Sequence, residues 1–148
     1  MRFVLPVLLF LLLPALPTRA AEAKVKKVLI QFLDKQGRHT TDPSLYERDA
    51  YQAFLRAHPE ERSAVRAAVH WKGPKRGVTL RVQFRGTKGE QITTAEVNHK
   101  VTPRRSWARW DQLVFTGEDY QQFGELIAWR VTVWDGEQLL AEQRSFLW

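Results

Sequence analysis

Hydrophobic and polar residues alternate over much of this chain with a period of two, which is typical of strands that are buried on one face. Segment 78–85, VTLRVQFR, is the clearest case, because its apolar residues all fall on one side. Segments 64–72, 92–101 and 112–116 follow the same pattern less regularly. An almost unbroken apolar run, 28–33, indicates a further strand that is covered on both faces.

The C-terminal segment 125–148 predicts a β-hairpin, because Asp135-Gly136 lies between two apolar runs and glycine supplies the positive φ that a tight turn needs. The first-arm residues expected to face the core are Ile127, Trp129, Val131 and Val133. In the second arm two sets compete for the inward side, and the length of the loop decides between them. These sets are Leu139, Ala141 and Leu147, or Leu140, Phe146 and Trp148.

One segment has the period of a helix instead. Asp42 suits its N-cap, Pro43 its first turn and Pro59 its end, which predicts a helix over about 42–57. The face expected to pack on the sheet consists of Tyr46, Ala50, Phe54 and Ala57. The opposite, solvent-exposed face consists of Arg48, Gln52 and Arg56.

The first twenty residues have the pattern of a secretory signal peptide. Arg2 precedes the apolar run 3–16, and the small residues Thr18 and Ala20 follow it, which predicts cleavage after Ala20. The apolar run is shorter than the roughly 20 residues that span a bilayer, so we expect a cleaved leader and no membrane span in the mature chain.

Seven predicted strands joined mostly by short turns, with one early helix, favour an antiparallel β-sandwich that occupies 24–148 as a single domain. Gly124, the strand 129–133 (WRVTV), the Asp135-Gly136 turn and the terminal SFLW resemble the closing strands of immunoglobulin-like or fibronectin-III-like modules in bacterial envelope proteins. The resemblance implies the same sandwich architecture. The Cys-Trp-Cys framework of immunoglobulin domains is absent, since the chain has no cysteine.

Composition adds a compartment and a class of partner. An exported domain without cysteine fits the periplasm or the medium around a bacterium better than a disulfide-dependent extracellular module. Removing the leader takes away two of the 23 basic residues and leaves 21 against 16 acidic ones, a formal charge of +5. This surplus favours anionic partners through screened attraction. Nucleic acid is not expected outside the cytoplasm.

The chain carries no recognisable catalytic or metal-binding motif. There is no thiol nucleophile and no Gly-x-Ser-x-Gly, and the four histidines lack metal-ligand spacing, so we expect no cofactor and no metal. The one enzymatic alternative is a small hydrolase in which Asp111 and either Glu118 or Asp119 act as acid and base.

Two groups of residues are candidates for binding. A loop at 103–111 combines Trp rings, which stack on sugars, with Arg groups, which bind carboxylate or phosphate. Its candidate ligand-binding residues are Arg104, Arg105, Trp107, Arg109 and Trp110. A candidate partner surface consists of Trp134, Phe146 and Trp148, unless the early helix covers them.

The sequence therefore predicts an exported, non-enzymatic module that binds a protein of the envelope or a secreted protein, through end loops or through an exposed edge strand. The alternative is a module that binds a glycan or another anionic polymer at the 103–111 loop. The hydrolase is the third hypothesis.

Overall fold

The computed structural model of the chain describes residues 22–102 and 108–148. Within them the fold is mainly β, with seven strands in two antiparallel sheets and two short helices. The first sheet has the order β1-β2-β5 and contains β1 (Lys24–Asp34), β2 (Arg62–Lys72) and β5 (Arg109–Thr116). The second has the order β4-β3-β6-β7 and contains β3 (Val78–Lys88), β4 (Gln91–Val101), β6 (Glu125–Asp135) and β7 (Gln138–Arg144). The helices are α1 (Leu45–Ala57) and α2 (Glu118–Phe123).

Both sheets contribute to one hydrophobic core. Val65 and Val69 of β2 and Leu80 and Val82 of β3 are all inaccessible to solvent and belong to the same cluster. The Phe84 ring of the second sheet stacks on the Phe115 ring of the first, with 6.0 Å between centroids. Burial of the alternate apolar residues is therefore what holds the sheets together, as the period-two pattern predicts.

The predicted turn of the closing hairpin is confirmed. Asp135 pairs with Gln138, so the loop has two residues, and Gly136 has a φ of +56°, as in a type II′ turn. Neither predicted set of second-arm residues is correct as a whole, because a β-bulge inserts Leu140 between the paired positions. Leu140 and Ala141 both pack against the core. The residues that stay exposed are Leu139, Phe146 and Leu147.

A second β-bulge, in β6, makes the prediction for the first arm of this hairpin wrong at one residue. Trp129, Val131 and Val133 face the core as predicted. Ile127 is the extra residue between two paired positions of β6 and is exposed, and Leu126 packs against the core in its place. On the opposite strand, a Cβ at Gly86 would lie 2.6 Å from the Phe123 ring, which explains why a residue without a side chain occupies this position.

The predicted helix forms, but it presents the other face to the sheet. Its buried residues are Gln52 and Leu55. The residues predicted to pack on the sheet, Tyr46, Ala50, Phe54 and Ala57, are exposed. The N-cap is Ser44, whose hydroxyl accepts a hydrogen bond from the Glu47 amide at 3.2 Å, and Asp42 instead accepts one from the Ser44 amide.

Helix α2 lies in a segment that the polar, turn-rich sequence predicts to be a simple connection. It is six residues long, too short to display a helical period, and it is bounded by Gly117 and Gly124, both at a φ of +85°. Its apolar anchor is Phe123, which is buried in the common core. At Gly124 a Cβ would collide with the Thr87 carbonyl oxygen, so glycine is required there.

Candidate functional site

The two sheets share one core, and together they have four edge strands. The outward N–H and C=O groups of an edge strand are available for pairing with another chain. Here the edge strands are β1 and β5 in one sheet and β4 and β7 in the other. β1 lies beside β7 on one side of the molecule, and β4 lies beside β5 on the other. These two sides differ in how well their edges are protected.

The β1 edge is capped by helix α1 at Phe32, near the end of the strand. The Gln52 side-chain amide behaves like a neighbouring strand, because its Oε1 accepts a hydrogen bond from the Phe32 amide at 2.8 Å and its Nε2 donates to the Phe32 carbonyl at 3.0 Å. Nε2 also donates to the His39 carbonyl at 2.8 Å. β1 additionally contains a bulge between Val25 and Lys27. Bulges and covering elements are known ways to prevent edge-to-edge pairing.

The β7 edge is short and irregular. β7 has seven residues and carries the bulge at Leu140. A short, bulged strand is a poor template for another strand.

Within residues 22–102 and 108–148 no bulge interrupts the edges on the other side, β4 and β5, and the one helix that contacts β4 there, α2, lies at its start. β4 pairs with β3 through all eleven residues without a register shift, and its sequence QITTAEVNHKV contains neither proline nor glycine. β5 pairs with β2 without a register shift through its eight residues. β4 is therefore a long, regular strand whose outer edge pairs with no other strand in the part of the chain that the structure describes.

A cleft of 540 Å³ lies between these two open edges. Its walls are residues 93–96 of β4 and 114–116 of β5, and α2 borders it with Asp119, Gln122 and Phe123. The Thr93 hydroxyl donates to the Phe123 carbonyl at 2.5 Å, which fixes α2 against the start of β4. Beyond Thr93 the neighbour of β4 is β5: His99 Nε2 lies 3.8 Å from the Asp111 carboxylate, and the Arg109 guanidinium donates to the Thr102 carbonyl at 3.3 Å.

The sequence-predicted Trp/Arg loop is described only at its end. Arg104, Arg105 and Trp107 lie outside the described residues. Arg109 is tied into the structure, since its Nε lies 2.9 Å from the Asp111 carboxylate and its guanidinium lies 4.9 Å from the centre of the Trp71 ring. These contacts give Arg109 a structural role.

Trp110 does not join Arg109 in one site. Adjacent strand residues point to opposite faces of a sheet, and the Trp110 ring lies on the outer face, where it stacks on His70 at 5.0 Å between centroids. About half of Trp110 is exposed. The described part of the loop therefore splits into a partly buried arginine and a separate surface aromatic residue.

Asp111 lies far along β5 from the end of the strand that leads to Glu118 and Asp119 of the hydrolase hypothesis. Asp111 and Thr116 are five positions apart on β5, roughly 17 Å at the usual strand rise, and Glu118 follows beyond Thr116. Acid and base pairs in glycosidases are at most about 10 Å apart. Asp111 also accepts a hydrogen bond from the Trp71 indole at 2.7 Å, so its carboxylate is occupied.

The predicted partner surface is not covered by α1, which packs on β1 of the other sheet. Trp134 and Trp148 instead meet arginines of β3 on the outer face of the second sheet. The Arg81 guanidinium lies 5.4 Å from the Trp134 ring centre and that of Arg85 lies 4.0 Å from the Trp148 ring centre. Phe146 is fully exposed.

This outer face is basic, and two of its arginines are neutralised. Arg81 lies 3.2 Å from the Glu96 carboxylate, and Arg130 lies 2.7 Å from that of Glu142. Arg85 stacks on Trp148 and has no carboxylate partner in the part of the chain that the structure describes.

Within residues 22–102 and 108–148 there is no cluster of three or more histidine, aspartate or glutamate side chains arranged to bind a metal ion. In the same residues no helix has the length and hydrophobicity to cross a membrane. Comparisons with protein families, with curated proteins and with solved structures found no match for this chain.

The open edge of β4 was not singled out from the sequence, although a signal for it is present. Segment 91–101 has polar residues at most of its positions, including half of those on its more apolar face, so its strand period is weak. A central strand with one face in the core shows a stronger alternation, as 78–85 does. Weak alternation next to a strong strand is therefore the expected pattern of an exposed edge strand.

Proposed function

We propose that this chain is a binding module that accepts an extended segment of a partner protein along the edge of β4. The observation that carries the proposal is the difference between the two sides of the molecule: β1 and β7 are capped or bulged, whereas β4 and β5 are regular and open. A long unprotected edge invites aggregation unless a partner strand occupies it.

The chemistry of β4 indicates what kind of segment fits. Main-chain hydrogen bonds of an added strand supply affinity, and alternate side chains supply specificity. On the outer face the segment would meet Thr94, Glu96, Asn98 and Lys100. On the inner side, residues such as Ala95 and Val97 pack against the core beside the cleft. A partner segment with polar residues on one face and small apolar residues on the other is complementary to this edge.

The proposal includes the architecture and the location of the domain. In the immunoglobulin constant arrangement the first sheet contains strands 1, 2, 5 and 4, and the second contains strands 3, 6 and 7. Here the fourth strand pairs with the third strand in the second sheet instead, and the rest of the order is the same. We infer a β-sandwich of the immunoglobulin or fibronectin-III type on this ground. The apolar run near the N-terminus supports export to the periplasm or the medium after cleavage behind Ala20.

A selection from a displayed library of random peptides tests the function. The purified protein is expected to enrich peptides with strand-like alternation, and their binding is then measured on two variants, Val97→Pro and Asn98→Pro. Consecutive amides of a strand point to opposite sides, so one proline removes a hydrogen bond to β3 and the other removes only an outward N–H.

One of the two variants is expected to melt like the parent, which identifies its proline as the outward one. This variant is expected to lose binding of the selected peptides. The other variant is expected to lose thermal stability and serves as the structural control. Unchanged peptide binding by the outward-proline variant would place the interface elsewhere and contradict the proposal.

A second candidate function is binding of an anionic polymer at the outer face of the second sheet. The observation that favours it is Arg85, which stacks on Trp148 at 4.0 Å and lacks a carboxylate partner among the described residues. Arg81, which is paired with Glu96, lies over Trp134 in a similar way, so the face carries two arginine–ring contacts of a kind that suits acidic polysaccharides.

Retention on a heparin column tests this candidate. Arg85→Gln is expected to elute at lower salt than the parent, and Lys72→Gln, which removes the same charge from the other sheet, is the matched control. Equal shifts for both variants would indicate attraction by net charge only, without a site at Arg85.

A further inference from the structure

We propose that the occupant of the β4 edge is a second copy of this chain, so that two β4 strands pair antiparallel about a two-fold axis at Asn98. The inference rests on the proposed function, because it names the partner of the same edge. The supporting observation is the pattern of charges along β4. In one register of two antiparallel copies, the acidic residue of each strand lies opposite the basic residue of the other.

A symmetric pair of antiparallel strands has only a few possible centres. With the axis at Asn98, each Glu96 lies opposite Lys100 of the second copy, and this pairing occurs twice. An axis at Glu96 would place the two Glu96 carboxylates opposite each other. Directly opposed side chains of unlike charge stabilise a strand pair, and like charges destabilise it.

Moving the axis by one residue in either direction also loses both favourable pairs. An axis at Val97 would place Glu96 opposite Asn98 and Lys100 opposite Thr94 of the second copy. An axis at His99 would place Lys100 opposite Asn98 and bring the two His99 residues together. Only the Asn98 axis neutralises both charged residues of β4 in the pairing.

Both charged residues are exposed, but they differ in their existing contacts. Glu96 retains 37% side-chain exposure, and its carboxylate already lies 3.2 Å from Arg81 and accepts hydrogen bonds from the side-chain amides of Gln83 at 3.1 Å and Asn98 at 2.8 Å. Lys100 is exposed and has no carboxylate partner within residues 22–102 and 108–148. Lys100 would therefore gain its first ion pair in the two-copy assembly.

Existing contacts border the paired segment: α2 lies at one end, and at the other the Thr102 carbonyl accepts a hydrogen bond from Arg109 at 3.3 Å. With the axis at Asn98 the paired segment runs from Thr94 to Thr102, so it begins just beyond Thr93, where α2 is fixed against β4. Opposed residues of paired strands point to the same side of the sheet. The two four-stranded sheets would then form one eight-stranded sheet with both Arg85–Trp148 contacts on the same face.

Charge exchange tests the proposal in solution. The protein is expressed from the full-length gene and purified with the N-terminus that remains after processing by the host. Its molar mass is measured by light scattering at protein concentrations from about 1 to about 100 μM. The wild type is expected to dimerise. Lys100→Glu places Glu opposite Glu96, and Glu96→Lys places Lys opposite Lys100, so each variant alone is expected to show dimerisation weakened about ten-fold or more.

Mixing the two variants is the decisive step. In a mixed pair each Glu again faces a Lys, so the mixture is expected to recover dimers that neither variant forms alone. Lys72→Glu, which changes the charge by the same amount on the other sheet, is expected to dimerise like the wild type. Melting curves of each variant confirm that the monomers remain folded.

A wild type that is monomeric over the whole range would overturn the proposal, and so would dimers that persist in both single variants. A monomer that still binds selected peptides along β4 would retain the proposed function with a foreign partner. Absence of both self-pairing and peptide binding would contradict both.

Discussion

At the scale of single residues, Asp34 is the most heavily used side chain at the end of β1. Its carboxylate accepts hydrogen bonds from the Tyr51 hydroxyl at 2.6 Å, from the amides of Gln36 and Arg38, and from the Arg38 side chain. Burial alone would raise the pKa of Asp34, but these donors outweigh it and hold the pKa at about 2, below the usual 3.8. Asp34 thereby fastens the following loop and α1 to the first sheet.

Asp34→Asn is expected to lower the free energy of unfolding at pH 7 by about 1–3 kcal/mol, because a charged acceptor of several hydrogen bonds is replaced by a neutral amide. A carboxyl whose pKa is lowered by folding stabilises the protein above its unfolded pKa and loses this effect as the pH falls through the folded value. The difference between variant and parent should therefore shrink between about pH 4 and about pH 2. Urea unfolding at several pH values measures it, and a difference independent of pH would contradict this role.

Gln52 and Phe54 lie on the same helix and test which face of α1 is buried. Gln52→Leu removes both hydrogen bonds to the Phe32 backbone and is expected to cost about 1–3 kcal/mol and to promote aggregation through the β1 edge. Phe54→Ala is the control, because Phe54 is 42% exposed and is expected to change stability by less than about 1 kcal/mol. Thermal melts with light scattering compare them, and the reverse order of effects would mean that the apolar face packs on the sheet.

At the scale of elements, the closing hairpin depends on the backbone conformation of one glycine. Gly136 has a φ of +56°, which a β-branched residue resists even though there is open space around the position. Gly136→Val is expected to cost about 1–3 kcal/mol. Chemical denaturation measures this cost, with Glu137→Val in the same loop as the control because its φ is negative. Equal stability of Gly136→Val and the parent would contradict the assigned turn.

The strands of this protein follow from its sequence more closely than the packing of its helix does. Strand alternation is a strong signal because one face of each inner strand is buried by both sheets, as at Leu80 and Val82. The face of α1 was predicted from apolarity alone, and this fails because the Gln52 amide satisfies the open backbone of β1 at Phe32. A polar residue can be the buried one when it pairs with main-chain groups.

The β-bulges and the open edge of β4 cannot be predicted from short-range sequence patterns, for a related reason. The extra residues Ile127 and Leu140 shift the inward side within a strand, and a period-two pattern assumes that no such insertion occurs. The open edge of β4 depends on which strands are neighbours, a property of topology that short-range patterns do not specify. The separation of Arg109 from Trp110, in contrast, follows from strand alternation once β5 is known to begin at Arg109.

At the scale of the whole molecule, the fold has one protected side and one open side. Helix α1 and the β-bulges shield β1 and β7, and the outer face of the second sheet carries arginines stacked on Trp134 and Trp148. Pairing at β4 would extend this basic face without covering it, because added strands lie in the plane of the sheet. The two proposed functions, strand addition and polymer binding, are therefore compatible with each other.

Amide hydrogen exchange along β4, resolved by residue, tests the central claim most directly. In dilute protein, alternate amides from Thr94 to Val101 are expected to exchange rapidly because they point away from β3, and their neighbours are expected to be protected. At high concentration or with a selected peptide, the rapid amides should become protected. If they remain rapid under both conditions, or if new protection appears along β7 instead, β4 is not the binding edge.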